Sequence, residues 1–146
     1  MSADSLPPEL LTDLGNEVLH LMEKFDGRRT VLEVLQEAGA EAELVVASAH
    51  REPDRTRQLA SGAREEGCSV VICGAGLSAA LPGFVAAHTD LPVIGVPISA
   101  GSLGGLDALL STVQMPPGVP VATVGIDNAK NAAHLALRML RMADRL

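Results

Sequence analysis

The chain has 146 residues, of which 47% are hydrophobic, and its mean hydropathy is +0.26. Such a chain is neither disordered nor fibrous, and it is long enough to bury a core as one domain. Only Phe25 and Phe84 are aromatic, which argues against platforms that stack the bases of single-stranded nucleic acid. Eleven basic and 18 acidic residues give a net charge of −7, which argues against a nucleic acid or an anionic membrane as partner.

The sequence carries no apolar run of transmembrane length, and its acidic N-terminal stretch is unlike a signal peptide. The two cysteines, Cys68 and Cys73, fall in a predicted turn and at the end of a predicted strand. We therefore expect buried reduced thiols rather than a disulfide. These features together favour a protein of the cytoplasm.

The N-terminal region leaves one assignment open. Residues 1–9 are polar and contain prolines, which predicts a loose leader. Apolar residues over 10–22 fall close to helical spacing and slightly favour a helix, yet Val18–Met22 alone is a short apolar run that fits a buried strand. Asp26 is placed to cap a helix that runs through Leu35 and ends at Gly39.

The middle of the chain alternates strands and helices. Leu44–Ala47 predicts a buried strand, and Pro53 is suited to the first position of a helix over 53–66 that Gly67 ends. A strand over 69–73 runs directly into Gly74-Ala75-Gly76, and 78–81 is expected to be a loop.

The C-terminal half continues the alternation. The predicted elements are a helix from Pro82 to His88, a strand over 91–96, a loop over 97–105, a helix over 106–114, a strand over 119–126 and a last helix capped by Asn128. An apolar face on the last helix contains Ala132, Leu135, Ala136, Met139 and Leu140. Strict alternation with short connections predicts a parallel, doubly wound α/β sheet with helices on both faces, in one domain over 1–146.

Three predicted strand ends carry small residues, at 48–51, 74–76 and 99–102. Ligands of open α/β sheets bind at the carboxyl ends of the strands, and small residues let a ligand approach the backbone. At the first of these ends, His50 can move a proton near neutral pH, and Arg51 can fork onto a phosphate or a carboxylate. A solvated turn without chemistry is the alternative there, and glycines that serve only a tight turn are the alternative at 74–76.

Several common chemistries lack their motifs. Gly74-Ala75-Gly76 has no third glycine at the spacing of a dinucleotide fingerprint. The four histidines, His20, His50, His88 and His134, have no second ligand at metal-binding spacing. No serine elbow is present. The pattern favours chemistry that needs only a proton shuttle, without a metal or an organic cofactor.

A set of segments together suggests a family. They are Ser-Ala-His-Arg-Glu-Pro-Asp at 48–54, Cys-Gly-Ala-Gly at 73–76 with Leu-Pro-Gly at 81–83, Val-Ile-Gly-Val-Pro at 93–97, the segment 113–124 with Gln-Met-Pro-Pro-Gly-Val-Pro at 114–120, and Asn-Ala-Ala at 131–133. The segments at 48–51 and 114–120 are together highly specific. Over roughly residues 40–142 the chain resembles the carboxyaminoimidazole ribonucleotide mutase and aminoimidazole ribonucleotide carboxylase family of purine biosynthesis. The resemblance implies a flavodoxin-like three-layer fold, a homo-octamer, no cofactor, and a nucleotide and CO2 or bicarbonate as small-molecule partners.

The resemblance also implies a role for each matching residue. His50 would take the proton from ring carbon C4, and Arg51 would hold the ribose phosphate. Asp26 matches an aspartate that contacts the ribose. Residues that would line the imidazole and the CO2 site are Ser48, Ala49, Gly74, Ala75 and Gly76.

Two positions depart from the family pattern. The family's first strand runs into Gly-Ser-x-Ser-Asp, whereas here Val18–Met22, which would match that strand, is followed by Glu-Lys-Phe-Asp at 23–26. Bacterial mutases carry a histidine where this chain has Ala80. Three functions therefore stay open: the mutase or carboxylase itself, a related enzyme acting on another heterocycle, and a non-catalytic family member.

Overall fold

The computed structural model describes residues 18–22 and 28–143. Its strands are β1 (Val18–Met22), β2 (Ala42–Val46), β3 (Val70–Gly76), β4 (Val93–Ile98) and β5 (Ala122–Thr123). Its helices are α1 (Arg28–Glu37), α2 (Pro53–Gly62), α3 (Ala80–Ala86), α4 (Leu106–Val113) and α5 (Ala129–Ala143), with one 3-10 turn at Gly101–Leu103. All strand pairs are parallel, in the order β2-β1-β3-β4-β5. The predicted doubly wound, flavodoxin-like sheet is confirmed.

Successive residues of β3 point to opposite faces of the sheet, and each face has its own core. Val71 and Cys73 join the cluster formed with α2, α3 and α4. Val70 and Ile72 join the cluster formed with α1 and α5. Because both faces are covered, β3 and β4 are apolar along nearly their whole length, as buried parallel strands are.

Alanines bring α5 close to the sheet. Ala129, Ala132, Ala133 and Ala136 are all buried, while the larger Leu135, Met139 and Leu140 lie half-buried at the margin. Asn128 caps this helix, since its Oδ1 accepts from the Asn131 amide at 3.2 Å. Both the predicted cap and the predicted apolar face are confirmed.

Glycines terminate the segments of α1 and α2. Gly39 (φ +78°) and Gly67 (φ +92°) adopt the left-handed conformation. The amide of the next residue then donates a hydrogen bond at 3.0 Å to a carbonyl of the preceding turn, Ala40 to Leu35 O and Cys68 to Ala63 O. The regular part of α2 ends at Gly62, earlier than the predicted 66, because residues 63–67 form turns that lead into the Gly67 cap.

Residues 18–22 form a strand, as the family resemblance implies and against the helical spacing across 10–22. β2 begins at Ala42, and it is only half-buried with Val46 exposed, because it lies at the sheet edge rather than inside as predicted. The predicted leader at 1–9, residues 10–17 and Asp26 lie outside the described residues.

Other boundaries differ because strand pairing decides them. β4 runs over Val93–Ile98 rather than 91–96, since it follows β3 to its end. α3 begins at Ala80 and ends at Ala86, two residues ahead of the prediction at both ends. β5 holds only Ala122 and Thr123, not 119–126, because those two residues alone pair with β4 in the sheet.

Gly95 sets the distance between β4 and α4. A Cβ at this position would collide with Thr112 Cγ2 and would lie 3.0 Å from Val121 Cγ1. Thr112 is fully buried, and its hydroxyl donates to Ala108 O at 2.7 Å. Hence α4 packs directly on the backbone of β4. Within the described ranges, no helix is long and apolar enough to cross a membrane.

Candidate active site

The carboxyl edge of the sheet is stepped. Val46, Met22, Gly74 and Val96 lie on one row across four neighbouring strands. β1 and β2 end on that row, whereas β3 and β4 continue for two more residues, about 6.6 Å at 3.3 Å per residue. We call the space beside this step, at the β1/β3 switch point, the recess. Ligands bind at this point in sheets of this strand order.

The 48–51 turn lies at the base of this step. The Glu52 amide donates to Ser48 O at 2.8 Å, and the Arg51 amide lies 3.4 Å from Ser48 Oγ. Ser48 and Ala49 are buried, while His50 and Arg51 are exposed. The turn thus keeps its small residues inside and presents the imidazole and the guanidinium at the surface.

Arg55 fixes this turn between β2 and α2. Its guanidinium donates to Val46 O at 3.0 Å and pairs with Glu52 at 3.3 Å. One side chain therefore ties the last carbonyl of β2 to the residue that precedes α2. Sequence reasoning missed this contact, because an arginine on a charged helix looks the same whether or not it reaches back to a strand.

Gly74, Ala75 and Gly76 are the last residues of β3, not a loop after it as predicted. A Cβ on Gly76 would lie 3.3 Å from both Ala100 Cβ and Ile98 O. Gly76 is therefore a glycine because β4 and the segment after it press against its α carbon. These three residues form a wall of backbone beside the recess.

The exit from β3 is strained. Leu77 (φ +54°) and Ala79 (φ +28°) both have positive φ without being glycine, and such residues cluster at functional sites. Leu77 is exposed, and its Cδ2 lies 3.0 Å from the position of a Cβ on Gly101. The β3–α3 connection and the 99–102 segment are thus in direct contact.

Asp127 is a site-edge residue that the sequence analysis did not single out. Its Oδ1 accepts from the Ser99 amide at 2.8 Å, its Oδ2 accepts from the Ser99 hydroxyl, and its own amide donates to Pro97 O at 2.8 Å. From its position in the loop between β5 and α5, Asp127 thus fixes the end of β4 by hydrogen bonds. The one available signal was the Asp-Asn pair at 127–128, which is typical of turns that tolerate a left-handed residue.

The two cysteines lie in the core, as predicted, and both are free. Burial, followed by the Glu66 and Glu43 carboxylates, raises the pKa of the Cys68 thiol to about 11. Burial alone raises the pKa of Cys73 well above its ordinary value. Neither thiol is therefore a nucleophile at neutral pH. Among the residues that the structure describes, no three His, Cys, Asp or Glu side chains converge as metal ligands.

Within 18–22 and 28–143, the predicted site residues lie at one edge of the sheet, in the 48–51 turn and in the 74–76 wall. β1 separates β2 from β3, so the 48–51 turn and the 74–76 wall lie about 10 Å apart, two strand spacings. Ala49 and Ala75 belong to the same buried cluster beneath the recess. Within one protomer, the side chain of His50 is exposed.

Fold and site define a class: a flavodoxin-like α/β protein with a His-Arg turn and a glycine-rich strand end at its switch point. The family model described as AIR carboxylase matches residues 24–146, and the chain belongs to that family. The resemblance drawn from the sequence is confirmed.

Named relatives agree with the family. The N5-carboxyaminoimidazole ribonucleotide mutase of Pyrococcus horikoshii is 59% identical over 107 residues, 73% of this chain and 60% of that protein. The protein of the same name from Thermotoga maritima is 56% identical over 108 residues, 74% of this chain and 63% of that protein. The chain thus spans about three-fifths of the length of these curated relatives. The crystal structure of Treponema denticola PurE matches with a TM-score of 0.76 and 28% identity, covering 88% of this chain and 82% of that one.

Proposed function

We propose that the protein moves a carboxylate onto ring carbon C4 of aminoimidazole ribonucleotide, from the N-carboxylated nucleotide or directly from CO2. The observation that carries the proposal is the Ser-Ala-His-Arg turn placed at the base of the step beside Gly74–Gly76, in a chain of the AIR carboxylase family. The relatives quoted above bear the name of the mutase. The proposed location is the cytoplasm.

His50 is the proposed general acid and base. In the mutase direction the bond between the exocyclic nitrogen and its carboxylate breaks, and the released CO2 forms a bond to C4. Protonated His50 gives its proton to the exocyclic nitrogen as the N–C bond breaks, and it takes the C4 proton after CO2 has bonded to C4, so charge and atoms balance over the cycle. An imidazole suits this exchange, because its ordinary pKa lies near neutral pH.

Arg51 is the proposed anchor for the ribose phosphate. The carboxylates beside it are already engaged, since Glu52 pairs with Arg55 at 3.3 Å and Asp54 with Arg57 at 3.0 Å. Within 18–22 and 28–143, no carboxylate pairs with the Arg51 guanidinium. Its fork is therefore available for an anion, at the N-terminal end of α2, where the helix dipole also favours negative charge. Asp26 is the proposed ribose contact.

The proposed lining of the imidazole and CO2 site consists of Ser48, Ala49, Gly74, Ala75 and Gly76. Their side chains are small or absent, so a flat imidazole ring can approach the peptide groups closely. A reaction that passes through free CO2 needs a site closed to water. We therefore propose that a second copy of the chain covers His50, within the homo-octamer that the family resemblance implies.

An apolar surface supports this assembly. Leu77 and Leu103 are 55% and 61% exposed, and α4 presents further apolar side chains beside them. The exposed residues of α4 are Leu106, Leu110 and Val113. Monomeric proteins rarely leave a patch of this kind uncovered.

The test uses the purified full chain with aminoimidazole ribonucleotide and bicarbonate, and separately with the N-carboxylated nucleotide. Ultraviolet absorbance follows the change at the ring. We expect turnover in the parent and a loss of about 10³-fold or more in His50→Asn, because the proton then has no carrier. His134→Asn is the matched control, since His134 is exposed on α5 at the other face. Full activity in His50→Asn would remove His50 from the mechanism.

The companion variant Arg51→Ala separates anchoring from chemistry. We expect its KM to rise about tenfold or more with a smaller change in kcat, because an ion pair to the phosphate acts before and during the reaction alike. Arg57→Ala removes a guanidinium from an exposed ion pair further along α2 and serves as control. An unchanged KM in Arg51→Ala would place the phosphate elsewhere.

A related enzyme acting on another heterocycle is the second candidate. Glu-Lys-Phe-Asp at 23–26, which stands where the family has Gly-Ser-x-Ser-Asp, favours it, and so does Ala80. A carboxylate at residue 23 opposes a nearby phosphate. A thermal-shift panel of heterocyclic acids with and without a ribose phosphate separates the candidates. Stabilisation only by acids without phosphate would support the second one, and no response to any compound would support a non-catalytic member.

A further inference from the structure

We infer that Asp127 is a positioning residue, which holds the 99–101 segment against Gly76, the last residue of the wall beside the recess. The inference deepens the proposed function and rests on it, because the recess is the proposed substrate site. The observation behind it is a set of three hydrogen bonds that joins two loops 28 residues apart in sequence.

Two of the three bonds hold Ser99, the first residue after β4, and the third holds Pro97 within β4. The Ser99 amide and hydroxyl both donate to the Asp127 carboxylate, one to each oxygen. The Asp127 amide donates to Pro97 O at 2.8 Å. Hydrogen bonds to a charged acceptor are the stronger kind, and two of them on one carboxylate fix its orientation as well as its distance.

The locked residue leads directly to the wall. Ala100 follows Ser99, and its Cβ lies 3.3 Å from the position that a Cβ on Gly76 would take. Gly101 comes next and borders the Leu77 side chain, whose Cδ2 lies 3.0 Å from the corresponding Cβ position. A shift of Ser99 is therefore passed by contact to the last residue of β3 and to the strained residue after it.

The backbone at Asp127 supports the same role. Its φ is +57°, a left-handed conformation that aspartate and asparagine tolerate better than most other residues. The next residue, Asn128, caps α5, and the preceding Ile126 reaches to within 2.7 Å of the position of a Cβ on Gly105. The β5–α5 loop is thus braced on both sides of Asp127, and its carboxylate is held out towards Ser99.

The experiment compares three variants of the full chain. Asp127→Gly removes the carboxylate but keeps the left-handed backbone free of strain. Asp127→Asn keeps that backbone and an oxygen that accepts from the Ser99 amide. Asp90→Ala is the control, because Asp90 is an exposed carboxylate that pairs with Arg64 at 2.8 Å and lies before β4, at the other end of the strand.

Two readouts are measured: kcat/KM for the nucleotide reaction, and hydrogen exchange of the amides over 97–105. In Asp127→Gly we expect kcat/KM to fall about 10- to 100-fold, the range that a displacement of about 1 Å costs. The Ser99 amide should exchange about tenfold faster, since its acceptor is gone. In Asp127→Asn we expect both values within about threefold of the parent, the effect of one hydrogen bond exchanged for another. Asp90→Ala should match the parent in both.

The outcomes are distinguishable. Faster exchange with unchanged kcat/KM in Asp127→Gly overturns the positioning role, and so does unchanged exchange over 97–105. Equal losses in the Gly and Asn variants also overturn it, because the conservative replacement must rescue. A parent without turnover refutes the proposed function instead, and the exchange measurement then decides by itself whether Asp127 holds the segment.

Discussion

Gly95→Ala is the sharpest test of the packing of α4 on β4. The added methyl would collide with Thr112 Cγ2 and would lie 3.0 Å from Val121 Cγ1. Thr112 is fully buried and its hydroxyl is tied to Ala108 O, so the helix rather than the side chain has to move. Overpacking of this kind costs about 2 kcal/mol, within the usual range of about 1–3 kcal/mol. For a chain of this size that corresponds to a fall in Tm of about 4–8 °C.

The assay is urea unfolding followed by circular dichroism at one fixed protein concentration, since the chain has neither Trp nor Tyr to report by fluorescence. Thr112→Ser removes the methyl that clashes and keeps the hydroxyl. We therefore expect Gly95→Ala to cost less than about 1 kcal/mol in that background, a coupling that a double-mutant cycle measures.

Gly62→Ala is the matched control for Gly95→Ala. Its new methyl would meet only Glu66 Oε1, at 3.9 Å, and a glycine replaced by alanine at a compatible helical position stabilises by about 0.4–1 kcal/mol. Equal losses for Gly95→Ala in the parent chain and in the Thr112→Ser background would refute this explanation of the packing between β4 and α4.

Three further predictions concern the core and the last helix. Cys68 and Cys73 should react with a thiol reagent at neutral pH only after unfolding, and labelling that is as fast in the native protein as in urea would contradict their burial. The pKa of Cys68 in the folded protein, about 11, lies above the ordinary 9.0. The contribution of this thiol to the free energy of unfolding is therefore complete below pH 9 and is lost as the pH rises towards 11. Cys68→Ala should flatten that decline in unfolding experiments. Asn128→Ala should cost about 1 kcal/mol in the free energy of unfolding, the usual value of an N-cap, whereas an unchanged value would mean that the bond to the Asn131 amide carries little.

Features that depend on residues close together in the chain could be predicted from the sequence. Gly39, Gly67 and Asn128 mark helix ends by their own conformational preferences, so their roles could be stated in advance. Pro53 likewise starts α2 at the predicted residue. The apolar run at 70–73 is short, rich in β-branched residues and followed by glycines, which predicts a buried strand without knowledge of its partners.

The remaining features, the strand ends and the contacts at the site, depend on residues far apart in the chain. β3 extends through Gly76 because β4 is there to pair with it, and β5 is short because only Ala122 and Thr123 pair with β4 in the sheet. The 28 residues between Ser99 and Asp127 hide their contact from any local pattern. The 48–51 turn was predicted as a site from its residue types, yet the exposure of His50 follows from the position of β2 at the sheet edge.

The backbone wall at 74–76 has a consequence for inhibitors. If the proposed site is correct, a compound that hydrogen-bonds to these peptide groups recognises atoms that every amino acid except proline possesses, so replacing a side chain does not remove them. Escape would require a bulky residue in the wall itself, and at Gly76 even a methyl group presses on Ala100 and on the Ile98 carbonyl. Drug resistance by a single substitution would therefore have to disturb the strand on which this edge of the protein depends.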